Sequence, residues 1–329
     1  MRIVTVWVGA LCLAMGPAVA QTPAQNQYQY PFQNPNLSME DRVTNIISLL
    51  TPEEKIDVLG ANYYLGGRNG PPPSLNRLGI HGYNQGEGLH GLARGRADSP
   101  NAIPTTTFIQ SIGLGETWDP DILQKAAAVE GYEARWLNQT AKYSRGGSQS
   151  LIIRAPNADL GRDIRWGRNE ECYGEDAYLN GTLTAAFVRG LQGNDPKYWQ
   201  TAALLKHFLA NSNENGRMGS SSNFDERLLR EYYSVPFRMG FEAGARSYMA
   251  AYNGMNGIPM TAQPILKDIT IKEWGVNHII TTDAGSLDAM VRAHKYFPDL
   301  PTAAAGAIKV GINQFLDGIY KANITLALE

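Results

Sequence analysis

Asp283 closes the run Val276-Asn277-His278-Ile279-Ile280-Thr281-Thr282 and is followed by Ala284-Gly285. An apolar, β-prone stretch emerges into a small-residue turn with a carboxylate at its tip. A buried parallel strand has this pattern, and in a (β/α)8 barrel the C-terminal ends of such strands carry the chemistry. The same Asp could instead cap the helix that follows. Four other stretches end alike: Glu87 with His90, Arg168, Lys206-His207 and Tyr252-Asn253. An attacking carboxylate ringed by acids, cations and an aromatic that can bond hydroxyls is the chemistry of a sugar pocket.

The neighbourhoods of these residues sharpen that reading. In Gly86-Glu87-Gly88-Leu89-His90-Gly91, three glycines let the backbone turn tightly and expose an acid and a histidine. A carboxylate placed there can accept two hydroxyl bonds, or it can be a solvated charge on a loop. The stretch Ala155 to Glu171 packs Arg162, Arg165 and Arg168 with Asp159, Asp163, Glu170 and Glu171 around Trp166. Such forks pin carboxylates or bind substrate oxygens, and the reading here is that some arginines build the loop while Arg168 faces the ligand. Lys206-His207 ends the strand-like Ala202-Ala203-Leu204-Leu205, where a lysine is costly unless paired or wetted. On a regular strand the two side chains point to opposite faces, so both reach a ligand only if the backbone is irregular there. The polar loop Asn211–Asn223 is long enough to fold over a pocket, or it is an ordinary surface loop, and Glu214 is its one carboxylate.

Other chemistries fit less well. There is no Gly-x-Ser-x-Gly elbow, and the five histidines are scattered without metal-ligand spacing, so no metal or cofactor is expected. Residues 1–20 read as an export signal, with Arg2, the apolar Ile3–Met15 and the small-residue Ala18-Val19-Ala20 before Gln21. Cys12 leaves with that signal. Cys172 is then alone among Glu170, Glu171 and Glu175, which disfavour its thiolate. Two-carboxylate glycoside hydrolysis has enough acids in suitable places.

The elements that must position these residues follow from patterning. Residues 21–37, rich in Gln, Asn, Pro and Tyr, are expected to be an extended lead-in. Ser38 caps a first helix, and Thr51-Pro52-Glu53-Glu54 opens a second with a capping-box pattern. From residue 78 onward strand-like and helix-like stretches alternate. The strand candidates are 79–83, 108–114, 151–155, 202–207, 247–252, 278–282 and 312–316. An eighth is placed near Ile103 or at a poorly marked segment elsewhere. Helices are expected after Asp119, Asp176 and Asp225, and from Pro264 to Trp274. Repeated βα units predict an α/β fold, a single (β/α)8 barrel over 38–329, and no early Gly-x-Gly-x-x-Gly turn argues for a doubly wound sheet. The 329 residues, 43% hydrophobic, suffice for such a barrel of roughly 250 residues. A net charge of −2 without a basic stripe excludes a nucleic-acid footprint, and no later stretch is apolar enough to span a bilayer.

These motifs, in this order over about residues 38–320, resemble glycoside hydrolase family 3, the exo-acting β-glucosidases and β-xylosidases. The resemblance rests on Gly86–Gly91, Arg162–Arg168, Tyr173-Gly174-Glu175-Asp176, Lys206-His207-Phe208, Ala251-Tyr252-Asn253 and Thr282-Asp283-Ala284-Gly285. It implies that Asp283 is the nucleophile of a retaining β-glycosidase, forming a covalent glycosyl-enzyme. It implies that Glu87, Arg168, Lys206 and His207 hold the terminal sugar of a β-xyloside or β-glucoside, with Tyr252 close to the nucleophile. Glu87 and the Asp-Ala-Gly turn resemble the xylosidase branch.

The chain also departs from the family. Most members carry the acid/base glutamate in a second α/β sandwich domain, for which nothing remains after Glu329. Single-domain members use an Asp/His pair on the loop after Lys-His, and no histidine lies between His207 and His278. The expectations are therefore a barrel shortened at its C-terminal end, with about nine residues after Tyr320 for its last helix where ten or more are usual, or an unconventional acid, for which Glu214 is the candidate. A sugar-binding remnant without turnover is the alternative from another class, and an incomplete chain of a longer two-domain enzyme is the third expectation.

Overall fold

The computed structural model describes residues 28–60, 77–80, 85–93, 103–140, 150–316 and 318–329. The expected export signal lies outside them. The chain divides into two compact units, Met1–Leu50 and Thr51–Glu329. In the first unit helix α1 (Met39–Leu49) starts where Ser38 Oγ accepts the Asp41 N–H at 3.0 Å. The lead-in is not wholly extended. Pro31–Gln33 forms a single 3-10 turn, tied to α1 by Arg42 Nε donating to the Phe32 carbonyl and by the Phe32 N–H donating to Asn45 Oδ1.

The second unit begins with α2 (Pro52–Asp57), whose capping box is complete: Thr51 and Glu54 each satisfy the other's backbone N–H. Its centre is a five-stranded parallel sheet of β1 (Gln85–Glu87), β2 (Ile152–Arg154), β3 (Ala202–Phe208), β4 (Ser247–Ala250) and β5 (Ile279–Thr281), neighbours in that order. Glu87 pairs with Arg154, Ile152 with Ala202, Leu204 with Ser247 and Ser247 with Ile279. Parallel bridges extend the ladder from Thr281 to Gln314 and from Phe315 to Gly60. Burial on both faces explains the near-continuous apolar runs in the strands.

Helices cover the sheet: α3 (Pro120–Gln139), α4 (Ala177–Gln192), α5 (Val235–Glu242), α6 (Ser286–Arg292), α7 (Leu300–Lys309) and α8 (Tyr320–Leu328). Asp119 and Asp176 cap α3 and α4 through their carboxylates, and Gly193 ends α4 with φ 75°. Asp225 likewise caps the turn Glu226–Leu228, which widens into a π-type turn at Leu229–Tyr233. Between α5 and the sheet the ring of Phe208 packs in T-shaped geometry against Phe237 and Tyr248, with centroids 5.1 and 5.4 Å apart.

One expected strand needs correction, and two others are placed only in part. The stretch 108–114 is not a strand: Ser111–Gly115 is helical, with Ser111, Leu114 and Gly115 buried at i, i+3, i+4 rather than in alternation. The strand expected at 79–83 is described only from Gln85, because 81–84 lie outside the described residues. The additional parallel partner is Gly60, close after α2, which is the poorly marked segment elsewhere rather than the one near Ile103. The last element, α8, has nine residues, buries Asn323 and Ile324, and is pinned to α2 by Tyr320 Oη donating to the Asp57 carbonyl at 3.0 Å and by a Lys321–Asp57 ion pair. Among the described residues backbone pairing does not join β1 to Gly60. The side chains of Gln85 and Gln314, from the first strand and the last parallel segment, meet at 2.8 Å.

Candidate active site

Every expected site residue except Glu214 reaches one cavity of about 200 Å³ at the C-terminal ends of the strands. It is lined by Glu87, Arg154, Arg168, Lys206, His207, Arg217, Met249, Tyr252 and Asp283. Glu87 and Arg154 end β1 and β2, Lys206 and His207 lie near the end of β3, and Tyr252 and Asp283 follow β4 and β5 by two residues. The sheet therefore converges residues far apart in sequence.

Asp283 is 9% exposed. Its Oδ1 accepts the Ala284 N–H at 2.7 Å, and Gly285, at φ 80°, makes the left-handed turn that starts α6 without a Cβ penalty. Burial pushes the Asp283 carboxyl up. The Ala284 N–H, the Tyr252 hydroxyl and the charges of Lys206 and Arg168 oppose that and favour the anion. Tyr252 is held in turn: its hydroxyl donates to the Ala284 carbonyl at 2.8 Å, and the Arg217 guanidinium lies 4.7 Å from its ring centroid.

Glu87 is clamped on both oxygens, by Arg154 Nη1 and by Lys206 Nζ, each at 2.8 Å. Burial works against its ionisation, but Lys206 and then Arg154 more than offset this, so the carboxyl sits below its usual range. Gly91, with φ 120°, lets the chain after Glu87 pass where a Cβ would lie 2.2 Å from the Thr106 carbonyl oxygen. His90 serves structure, its Nδ1 3.1 Å from the Phe108 carbonyl oxygen.

Lys206 and His207 both line the cavity because β3 is irregular there. The register against β4 shifts between Leu205 and Phe208. Arg168 forms two parallel 2.7 Å bonds to Glu171. Burial works against its charge, and Glu171 more than offsets that, so the guanidinium holds its proton more firmly than usual. Arg165 pairs with Asp163 at the surface instead and does not line the cavity.

Glu214 stands behind the wall. Its Oε1 is 2.5 Å from Arg217 Nη1 and its Oε2 accepts from Trp166 Nε1 at 3.3 Å, and it is Arg217 that reaches the cavity. Cys172 is fully buried, and desolvation with the acids around it raises its thiol well above the ordinary value.

Three lining residues escaped the sequence reading: Arg154, Arg217 and Met249. Arg154 had a visible signal, a charge inside the apolar Leu151-Ile152-Ile153 run. Arg217 and Met249 had none, because their value depends on where a loop and a strand face fall in space. Among the described residues no three His, Cys, Asp or Glu side chains gather as a metal site, and no helix is long and apolar enough to cross a membrane.

Comparison with known proteins places this architecture. A β-xylosidase from Formosa agariphila is 32% identical over 327 residues, covering 97% of this chain and 41% of its own. A β-glucosidase from Rhizobium radiobacter is 32% identical over 244 residues, covering 73% of this chain and 27% of its own. The chain thus spans less than half the length of these curated relatives. Among solved structures, an exo-beta-xylosidase in complex with a xylobiose aziridine activity-based probe matches with a TM-score of 0.79 at 25% identity, over 91% of this chain and 38% of that one. A β-glucosidase 3B from Thermotoga neapolitana in complex with glycerol matches with a TM-score of 0.69 at 26% identity, over 87% and 39%. The signature described as "Glycosyl hydrolase family 3 N terminal domain" covers residues 93–323. With that match over most of its length and motifs converging on one cavity, the chain belongs to glycosyl hydrolase family 3.

Proposed function

We propose that this chain carries the nucleophile and the terminal-sugar site of an exo-acting, retaining β-glycosidase for β-xylosides or β-glucosides, on a barrel closed beyond the strands described. The observation that carries this is Asp283: a buried carboxylate at a strand end, aimed into a cavity walled by Glu87, Arg168, Lys206, His207 and Tyr252. A cavity of about 200 Å³ lies below the roughly 300–1,000 Å³ of pockets for drug-sized ligands, as suits one terminal ring. Asp283 attacks the anomeric carbon, the glycosidic oxygen leaves with its electron pair, and a covalent ester forms. Water then attacks the same carbon and releases the sugar. Residues 1–20 are read as an export signal, which N-terminal sequencing of exported protein beginning at Gln21 tests.

Incubation with a 2-fluoro-xyloside or 2-fluoro-glucoside carrying a good leaving group should add one sugar to the peptide containing Asp283. Labelling of another residue, or aryl-glycoside hydrolysis without any adduct, overturns the assignment.

One observation favours a second reading, sugar binding with negligible turnover. Of the two carboxylates on the cavity wall, Glu87 has both oxygens tied to cations and is a poor proton donor. Calorimetry with xylose or glucose beside an activity assay separates the readings, and binding without turnover at any leaving group selects the second.

A further inference from the structure

Behind the cavity, Asp159 and His207 form a pair to which the chemistry above gives no task for the acid. Both are 2% exposed. Asp159 Oδ2 accepts the main-chain N–H of His207 at 3.0 Å and lies 3.0 Å from the His207 ring Nδ1. An ionised carboxylate only accepts, so against it Nδ1 carries the ring proton and donates it. In a neutral imidazole the other nitrogen then carries the lone pair. That nitrogen, Nε2, faces Asp283 Oδ2 at 3.9 Å, beyond direct bonding but with room for a sugar hydroxyl to bridge the two.

The surroundings keep the ring neutral. Burial pushes the His207 pKa well down, and Arg168, Lys206 and Arg217 push the same way. Burial pushes Asp159 up, to about 8, with Glu171 adding to it and the His207 N–H, Arg168 and the Asn211 N–H opposing. Oδ2 accepts from Nδ1 when Asp159 is ionised or carries its proton on Oδ1, whereas a proton on Oδ2 would be donated to Nδ1 and move the ring proton to Nε2, the outcome that the test below reads.

We propose that Asp159 is the positioning residue of this site, fixing His207 as the Nδ1–H tautomer with its Nε2 lone pair turned toward Asp283 and a hydroxyl of the bound sugar. This rests on the glycosidase reading above for its consequence, but not for its geometry. A lone pair on Nε2 accepts a substrate hydroxyl, whereas a proton there would leave that hydroxyl without its acceptor and turn an N–H toward the nucleophile.

The test uses the full chain, Asp159→Asn and Asp159→Leu. Nitrogen NMR of labelled histidine reads the His207 tautomer, assigned against His207→Gln, and 2-fluoro-glycoside labelling of Asp283 reads the consequence. Wild type should show Nδ1–H. The Asn variant, whose amide oxygen still accepts, should keep that tautomer and label within about threefold of wild type, whereas the Leu variant should lose it and label about 10- to 100-fold more slowly. A Leu variant that folds, keeps Nδ1–H and labels like wild type overturns the proposal. If the Leu variant does not fold, an Nε2–H tautomer in wild type still overturns it and Nδ1–H in both wild type and the Asn variant supports it. Absence of any Asp283 adduct in wild type defeats the glycosidase reading instead, and the tautomer decides the positioning role independently.

Discussion

Lys206 Nζ stands 2.8 Å from Glu87 Oε2, so β3 reaches past β2 to hold a carboxylate on β1, while Arg154 on the intervening strand takes the other oxygen. One acid thereby fixes the heads of two cations from neighbouring strands. The arrangement is preorganised for hydroxyl groups but leaves Lys206 dependent on its partner, because its side chain is 5% exposed against 44% for Glu87.

That asymmetry predicts which partner is costlier to remove. Glu87→Ala leaves a buried ammonium facing a guanidinium with no anion between them, and should cost about 1–3 kcal/mol. Lys206→Met removes the buried charge and leaves Glu87 paired with Arg154 and partly wetted, so it should cost less. Thermal melts of the two variants side by side check this. A Lys206→Met variant less stable than Glu87→Ala would show that the pair's strength lies elsewhere.

Asp283 should trade stability for function. Its folded-state pKa is raised, so the ionised form carries a penalty that is absent at pH below the unfolded value and fully present above the folded one. Asp283→Asn keeps the shape and removes the charge. At pH 7 it should melt higher than wild type, by an amount corresponding to about 0.5–2 kcal/mol, while losing on the order of 10³–10⁶ in activity. At pH 3 the stability gain should shrink. An equal gain at both pH values would contradict the sign.

Glu54 sets an acid limit on stability through the opposite sign. The Arg77 side chain, then the Thr51 N–H, lower its pKa to about 2. The stability it contributes is therefore fully present above the usual carboxylate range and is lost as pH falls toward about 2. Urea unfolding at pH 6 and pH 3 should show a smaller drop in Glu54→Gln than in wild type. Identical drops would mean that the pair does not feed into folding.

Much of this was legible in the chain because the signals are local. Ser38, Thr51, Asp119, Asp176 and Asp225 announce helix starts by chemistry that acts within three residues, and all of them cap helices. The apolar runs ending at Lys206 and Asp283 announce buried strands. What was not legible is what depends on distance. Phe108–Leu114 has strand-like composition, yet it is helical where Ser111, Leu114 and Gly115 meet the interior. Arg154 and Arg217 become wall residues only because β1 presents Glu87 and Glu214 braces Arg217 from behind. Lys206 and His207 share a cavity through a register shift that residue types do not encode.

The last prediction concerns the proton donor. A sugar leaving group needs its oxygen protonated, and general acid help is typically worth about 10²–10⁴ in rate. A nitrophenolate leaves without it. Asp283 is the proposed nucleophile and Glu87 is held as an anion by Lys206 and Arg154, so neither suits the task. This chain by itself should act slowly on nitrophenyl glycosides and almost not at all on disaccharides. Release of the glycosyl-enzyme should be slow as well, because the same group normally activates water, and added azide should accelerate turnover and yield a glycosyl azide. The rival is Glu214, which would have to break from Arg217 and Trp166 to reach the leaving oxygen. It predicts comparable rates on both substrate types, a bell-shaped pH profile, and loss of both in Glu214→Gln. Fast, equal turnover of disaccharide and nitrophenyl glycoside would defeat the acid-less reading. Azide rescue of the unmodified chain, with Glu214→Gln behaving like wild type, would leave Glu214 as a brace for Arg217.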